Sequence, residues 1–158
     1  MRWLPIAFLL LLLAPGVQAE TLSGTVVSVV DGDTLTILDA QKRRYRVRLG
    51  EVDAPESKQA FGLKSARSLH GLCFRKTARV EWQAKDQHNR HVGHVTCEGV
   101  DANAEQVRRG MAWVSPRSTQ PGSPLYVLEA YARVRGIGLW SDPQPVPPWD
   151  WRPGKQTR

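Results

Sequence analysis

The sequence predicts a mainly β protein of the α+β class, in which a small barrel of five strands is accompanied by about three helices. Five segments alternate apolar and polar residues with a period of two, and three others show helical spacing or helix-capping residues. The order of the elements is βββαββαα. This order favours a small barrel over a sheet of βαβ units, because the strands do not alternate one by one with helices.

The first nineteen residues have the form of a secretory signal peptide. Arg2 precedes an apolar run from Leu4 to Ala14, and the small-residue sequence Val17–Ala19 follows. The apolar run is shorter than the roughly 20 residues that span a bilayer. We therefore expect a mature chain that begins at Glu20, is periplasmic or secreted, and does not associate with a membrane.

The mature chain is basic. Without the first nineteen residues it has 21 basic and 15 acidic side chains, a formal charge of +6. Such an excess suits a polyanionic partner such as nucleic acid, anionic lipid or glycan. About 140 residues are enough for one domain with a core and too few for two ordinary domains.

Three strands are predicted at the start of the mature chain, at residues 24–30, 34–38 and 44–49. The dipeptide Asp31-Gly32 between the first two is a strong hairpin signal. Asp33 is a second carboxylate at the start of the next strand, which the turn itself does not require. It is either a spare turn residue or part of a site.

A helix is predicted between residues 57 and 73, followed by a hairpin of two strands at 77–83 and 91–97. The register of that hairpin brings Cys97 near residue 77, a short step from Cys73. An even cysteine count in an exported chain is typical of disulfides. We therefore predict the intramolecular disulfide Cys73–Cys97.

Two further helices are predicted. Asp101 is the expected N-cap of a helix at 103–109, and Gly110 ends it. The last helix runs between Ser123, its expected cap, and Gly136. After Trp140 the composition changes to Pro and Trp, which predicts a tail that extends over the surface without regular structure.

Three polar segments at strand ends contain complementary chemistry. Calcium prefers several oxygen ligands, commonly carboxylates with a backbone carbonyl. Asp33 and Asp53 offer the carboxylates, and Ala54 offers the carbonyl. These three residues are the predicted metal ligands.

The candidate catalytic residues are two arginines and a glutamate. Arg48 and Arg90 suit the charge that develops on a phosphodiester attacked by water, since guanidinium remains charged and matches phosphate geometry. Glu56 is placed to orient or deprotonate the water. Each residue also has an ordinary explanation when taken alone: a solvated basic strand face for Arg48 and a hairpin-turn cation for Arg90. Only the joint pattern indicates a site.

The sequences VVDGDT, RLGEVDAPE and DQHNR, in this order and at these spacings, closely resemble the staphylococcal nuclease (thermonuclease) family. The resemblance continues through DANAEQVRRGMAWV and GLWSD and covers roughly residues 23–142. It implies a five-stranded OB-type Greek-key barrel. The expected organisation is a signal peptide at 1–19, an OB-barrel nuclease domain at 20–142, and a Pro- and Trp-rich tail at 143–158.

The resemblance also implies a calcium-dependent phosphodiesterase of the endonuclease type that cuts DNA and RNA. By position, Asp33 and Asp53 match the carboxylates that bind one Ca²⁺ ion, and Arg48 and Arg90 match the phosphate-stabilising arginines. Glu56 matches the general base or water-positioning residue. We expect a monomer that acts on DNA and RNA and prefers single strands.

The sequence departs from the family pattern at residue 54, in the turn before Arg90, and in the loop from Pro116 to Pro124, which lacks tyrosine. Ala54 stands where the prototype enzyme has threonine, which leaves the backbone carbonyl but removes a hydroxyl. His88 and Asn89 stand where the family commonly has an aromatic residue and a glycine. Stacking of a tyrosine on the substrate base is therefore not expected here, although His88 could partly take that role.

Two other functions fit parts of the pattern. One is a non-catalytic OB-fold module that binds nucleic acid or glycan, which the presence of every candidate catalytic residue disfavours. The other is a histidine-metal nuclease built on His88, His91 and His94. Residues 91 and 94 lie on opposite faces of a strand, which argues against a shared metal.

Overall fold

The structure is a computed structural model and describes residues 20–152. The predicted signal peptide, at residues 1–19, and the last six residues of the tail lie outside the described part of the chain. Within residues 20–152, no helix is long and apolar enough to cross a membrane.

The described residues form eight strands, three of which have only two residues. In chain order they are β1 (Glu20–Val29), β2 (Thr34–Leu38), β3 (Arg44–Leu49), β4 (Val52–Asp53), β5 (Thr77–Lys85), β6 (His91–Cys97), β7 (Val100–Asp101) and β8 (Trp113–Val114). The strands predicted at 34–38, 44–49 and 91–97 have these bounds, because polar turn segments limit each run of strand-forming residues.

Five strands form a closed barrel, as the sequence predicted. Their order is β3-β2-β1-β5-β6, and β3 also pairs in parallel with β6, so the last strand meets the first. The other barrel pairs are antiparallel. This is the mainly β OB-type fold that the sequence analysis expected, with the short pairs β6–β7 and β4–β8 added to it.

Three longer helices pack on the barrel: α1 (Gly62–Cys73), α2 (Ala102–Arg108) and α3 (Leu125–Val134). Asp101 caps α2, as predicted, and its side chain accepts a hydrogen bond from the backbone of Ala104. The first helix begins five residues later than the predicted helical segment. Phe61 before it has a left-handed backbone (φ 66°), so residues 57–61 form turns instead.

A fourth helix was not predicted. Residues 148–151 of the tail form a single helical turn, α4 (Pro148–Trp151), and a 3₁₀ helix occupies Gly138–Ser141. The expectation of a tail without regular structure was therefore wrong at this point. Proline at the first position of α4 explains the turn, since its fixed φ and missing N–H suit a helix start.

The barrel interior is filled by aliphatic side chains from alternating strand positions. Fully buried examples are Val26, Leu35, Ile37, Val47, Leu49, Val80 and Val95, and the helices add Leu69 and Val107 from outside. The predicted disulfide is present: the Cα atoms of Cys73 and Cys97 lie 5.3 Å apart. It joins the end of α1 to the end of β6.

The turn between β1 and β2, which positions Asp33, packs closely against α1 at Gly32. A Cβ atom at Gly32 would lie 1.8 Å from Oγ of Ser65 on α1, so only glycine fits there. Nε2 of Gln106 on α2 donates a 2.7 Å hydrogen bond to the Gly32 carbonyl. The turn is therefore fixed by two helices as well as by its own sequence.

Candidate active site

The three polar segments singled out in the sequence meet at one cavity of about 1140 Å³. Its walls come from the β1–β2 turn, the β3–β4 region, the β5–β6 turn, the loop after β8 and the tail. All six predicted site residues line it: Asp33, Arg48, Asp53, Ala54, Glu56 and Arg90. Side chains that are far apart in sequence are thus brought together at one end of the barrel.

Asp33 and Asp53 share one arginine nitrogen. Nη2 of Arg48 lies 3.2 Å from Oδ2 of Asp33 and 2.9 Å from Oδ1 of Asp53. Both carboxylates are almost completely buried, with side chains 7% exposed. Two acids in so little solvent need nearby positive charge, which Arg48 supplies in part.

Asp33 is held by its neighbours. Its Oδ1 accepts a hydrogen bond from the Thr34 hydroxyl at 2.9 Å, and its Oδ2 accepts one from the backbone N–H of Ala54 at 3.0 Å. Burial raises the pKa of Asp33, while Arg48 acts in the opposite direction. A bound cation would favour the ionised form of this carboxyl group.

The donor set fits one hard cation. Asp33 and Asp53 supply carboxylate oxygens within reach of a single nitrogen, and the Ala54 peptide lies beside them. Across residues 20–152, no group of three or more His, Cys, Asp or Glu side chains is arranged around one metal position. Two carboxylates would therefore hold the ion, with the backbone carbonyl of Ala54, water or substrate completing its ligands.

Arg90 is fixed by the turn that carries it. Its Nε and Nη2 donate to Oδ2 of Asp86 at 2.8 and 2.7 Å, and its Nη1 donates to the Thr34 hydroxyl at 3.2 Å. A guanidinium has five N–H donors, so two remain for an anionic ligand. Partial burial would raise the pKa of Asp86, but the hydrogen bonds that Asp86 accepts from Arg90 oppose this effect. The pKa of Asp86 is therefore lowered.

Residues 88 and 89, which depart from the family pattern, lie in the turn between β5 and β6. Asn89 has a left-handed backbone (φ 57°), a conformation that glycine and asparagine tolerate best. Asparagine is therefore compatible with the backbone conformation of this turn. The exposed ring of His88 lines the cavity.

Glu56 lies on the loop after β4. Its backbone N–H donates to Oε1 of Gln59 at 3.0 Å, which orders the loop. Its carboxylate faces the cavity and is 41% exposed, in contrast to the two buried aspartates. A carboxylate with access to both solvent and the acid pair can contact a water molecule at the site.

Arg152 is a further residue of the cleft that was not predicted from the sequence. This tail residue lines the cavity and donates to both Asp53 and Glu56. No motif marks it, since its position depends on the path of the tail. Trp149 and Arg117 also line the cavity and were not predicted as site residues.

The three histidines do not form a metal site. His91 is buried between Tyr45 and Trp82, whose rings meet it edge-on, and burial lowers its pKa. His94 pairs with Asp101 at 3.2 Å, on another part of the surface. The histidine-metal interpretation is therefore not supported by their placement.

A closed five-stranded barrel that gathers buried acids and arginines in one cleft fits a hydrolase that acts on phosphodiesters. The chain matches the family described as "Staphylococcal nuclease homologue" over residues 46–142. It belongs to that family. The matched region contains Arg48, Asp53, Ala54, Glu56 and Arg90, whereas Asp33 precedes it and Arg152 follows it.

Similar proteins are found in several bacteria. A protein of Escherichia coli O157:H7 named "Uncharacterized endonuclease" is 41% identical over 86% of this chain and 88% of its own length. One of Haemophilus influenzae with the same name is 40% identical, over 80% of this chain and 71% of its own. The "Micrococcal nuclease" of Shigella flexneri is 37% identical, over 82% and 79%.

Proposed function

We propose that this protein is an exported, calcium-dependent nuclease that hydrolyses phosphodiester bonds of DNA and RNA. The observation that supports this most strongly is the convergence of Asp33, Asp53, Arg48, Arg90 and Glu56 on one cleft. Membership of the family and the names of the relatives support the substrate class. The basic character of the mature chain favours a polyanion as well.

The two arginines bind and neutralise the phosphate. Arg90 has two N–H groups beyond those used by Asp86 and Thr34, and it is held by a carboxylate that fixes its orientation. Arg48 lies beside the cleft, where its Nη2 contacts Asp33 and Asp53. Fixed cations of this kind stabilise charge on the phosphate oxygens without reorganising during the reaction.

Glu56 orients and deprotonates the attacking water. Its carboxylate is the most exposed of the three acids, so it can orient a water molecule against the phosphorus and accept its proton. Asp33 and Asp53 would hold calcium. A bound calcium ion would supply positive charge that polarises the phosphate. The site is complete within one chain, which is consistent with a monomer.

Single-stranded nucleic acid is the preferred substrate in this proposal. His88 and Trp149 present rings at the edge of the cavity, and aromatic faces stack on unpaired bases. The disulfide Cys73–Cys97 suits an oxidising compartment, in agreement with export directed by residues 1–19.

Digestion of single-stranded DNA by the mature protein tests the proposal. Cleavage should require calcium and stop with a chelator, and Glu56→Gln should lower kcat by about 10² to 10⁴. Glu98→Gln is the matched control, because Glu98 is exposed in the turn between β6 and β7 and does not line the cavity. Activity unaffected by both chelator and Glu56→Gln would contradict the mechanism, and tight binding without any cleavage would favour a non-catalytic binding module.

A further inference from the structure

The tail returns to the cleft and is attached there. Nε2 of Gln59 donates to the carbonyl of Val146 at 2.5 Å, while Oε1 of the same side chain accepts from the backbone of Glu56. Gln59 is buried, as is Pro148 at the start of α4. One buried amide therefore links the tail directly to the loop that carries Glu56.

Arg152, at the end of this attached segment, binds two of the site's acids. Its Nη2 lies 2.7 Å from Oδ1 of Asp53, and its Nη1 lies 3.0 Å from Oδ2 of the same carboxylate. Its Nε lies 2.5 Å from Oε1 of Glu56. The contact with Asp53 is bidentate, the stronger geometry for a guanidinium and a carboxylate.

We propose that Arg152 is a tethered competing cation, which occupies Asp53 and Glu56 in the resting protein and is displaced when calcium binds. This inference rests on the proposed function, since it concerns regulation of the same site. The tail would then act as an autoinhibitory segment built into the chain. Residue 152 lies beyond the family match at 46–142, so the match itself does not imply this contact.

Both contacts oppose catalysis. Each oxygen of Asp53 accepts a hydrogen bond from Arg152, so its lone pairs are directed partly at the guanidinium instead of at a metal. The guanidinium also occupies Oε1 of Glu56, so this oxygen is not free to accept a hydrogen bond from the attacking water. The same residue therefore competes for a metal ligand and restrains the water-activating group.

The local charge supports exchange between Arg152 and calcium. Asp33, Asp53 and Glu56 with Arg48 carry a formal charge of −2, which one divalent cation neutralises. With Arg152 the formal charge is −1. Calcium added beside Arg152 would make the cluster positive, so departure of the guanidinium favours metal binding.

Calcium binding by the full mature chain, measured by titration calorimetry with calcium chloride, tests the inference apart from activity. Arg152→Ala should bind calcium about fivefold more tightly than the wild type, since a partly exposed ion pair is a modest competitor. Arg152→Lys should fall between the two, because lysine retains the charge but not the bidentate contact.

Arg117→Ala is the matched control. Arg117 lines the same cavity, and within residues 20–152 it forms no ion pair with Asp53 or Glu56. Its loss removes the same charge and should change calcium affinity by less than about twofold, because exposed charges are screened by solvent and salt. Equal affinity gains in Arg117→Ala and Arg152→Ala would overturn the inference in favour of a general charge effect.

Hydrogen exchange of residues 144–152 supplies a second measurement that does not depend on enzymatic activity. Exchange in this segment should be faster in Arg152→Ala than in the wild type, and calcium should accelerate it in the wild type. Unchanged exchange in Arg152→Ala would refute the tether. Unchanged calcium affinity with weaker binding of single-stranded DNA would also refute it and assign Arg152 to the substrate. If the wild type and Arg152→Ala both fail to bind calcium and cleavage resists chelator, the proposed function itself fails.

Discussion

Arg90 is locked to Asp86 by hydrogen bonds from both its side chain and its backbone: Nε donates to Oδ2 at 2.8 Å, and the backbone N–H donates to Oδ1 at 3.0 Å. The β2–β3 turn contains the same arrangement. There Arg43 donates from Nε at 2.8 Å and from its backbone at 2.9 Å to the two oxygens of Asp39. The same turn arrangement therefore occurs twice, and of the two only the turn with Asp86 and Arg90 faces the cleft.

Asp86→Asn should lower kcat about tenfold on single-stranded DNA while KM changes little, because a misoriented Arg90 stabilises the transition state less well. Asparagine preserves the shape and can still accept from the backbone, but it removes the ion pair. Steady-state kinetics on a defined oligonucleotide measures the effect.

Asp39→Asn is the control for Asp86→Asn, since it breaks the equivalent pair with Arg43 in the turn that lies outside the cleft. It should affect stability without lowering kcat. Equal loss of kcat in both variants would show that the effect is structural and not a matter of Arg90 orientation.

Arg46 extends the basic surface of the cleft along β3. It lies two residues before Arg48, so both side chains are on the same face of the strand, and it is exposed at the cavity wall. Arg46→Ala should raise KM about threefold to tenfold and reduce the salt dependence of substrate binding, since one phosphate contact is lost. The kcat should be unchanged, because Arg46 would contact the substrate equally well in the ground state and in the transition state.

Arg79→Ala is the comparison for Arg46→Ala. Arg79 is an exposed arginine on β5 that pairs with Glu81 and does not line the cavity. If KM measured over a range of salt concentrations responds equally to the two substitutions, the effect comes from net charge and Arg46 has no specific role.

The disulfide should contribute substantially to stability. Cys73 and Cys97 are 24 residues apart in sequence, and closing a loop of this length stabilises the folded state by about 3 kcal/mol in the chain-entropy account. The double variant Cys73→Ser/Cys97→Ser should lose about that free energy of unfolding, measured in urea by tryptophan fluorescence. Wild type treated with reductant should behave like the variant. An unchanged urea midpoint in both would contradict the prediction.

His94 and Asp101 should make stability depend on pH. The hydrogen bond with Asp101 raises the pKa of His94 above its ordinary 6.5. Partial burial would raise the pKa of Asp101, but the bond from His94 helps to lower it below its ordinary 3.8. The contribution from His94 is complete below pH 6.5 and is lost as the pH rises through the raised pKa. The contribution from Asp101 is present above pH 3.8 and is lost in acid.

His94→Ala should therefore destabilise the protein at pH 5 by about 0.5 kcal/mol, a small value because both side chains are about 40% exposed. At pH 9 the loss should be smaller. Urea unfolding at the two pH values measures the difference. His88→Ala serves as control, since the His88 ring lies beside Gln87 and forms no ion pair within the described residues. An equal loss for His94→Ala at both pH values would contradict the assignment.

The periodicity of side chains was enough to predict much of the barrel. Strands β2, β3 and β6 have the predicted bounds, because each run of strand-forming residues ends at a polar turn, although β2 is buried on both faces. The two-residue strands β4 and β8 could not be predicted in this way. They pair across the chain, Val52 with Val114 and Asp53 with Trp113, and two residues are too few to show any period.

The candidate site was predicted in part for a similar reason. Asp33, Asp53, Arg48, Glu56 and Arg90 lie in three sequence motifs, and each motif has a strand end or turn that marks its position. Gly32 was interpreted as a turn residue from its sequence alone. The structure adds that Ser65 on α1 leaves no space for a side chain there, which depends on how the helix packs.

By itself, the sequence determined the succession of strands along the chain and the turns that separate them, because local periodicity and turn chemistry are encoded in neighbouring residues. It also identified the acids and arginines that line the cleft. Only the tertiary structure decided that one guanidinium nitrogen of Arg48 contacts both Asp33 and Asp53, and that Arg152 reaches Asp53. Arg48 is 15 residues from Asp33 and Arg152 is 99 residues from Asp53, so these contacts depend on the path of the whole chain and on which charges are buried together.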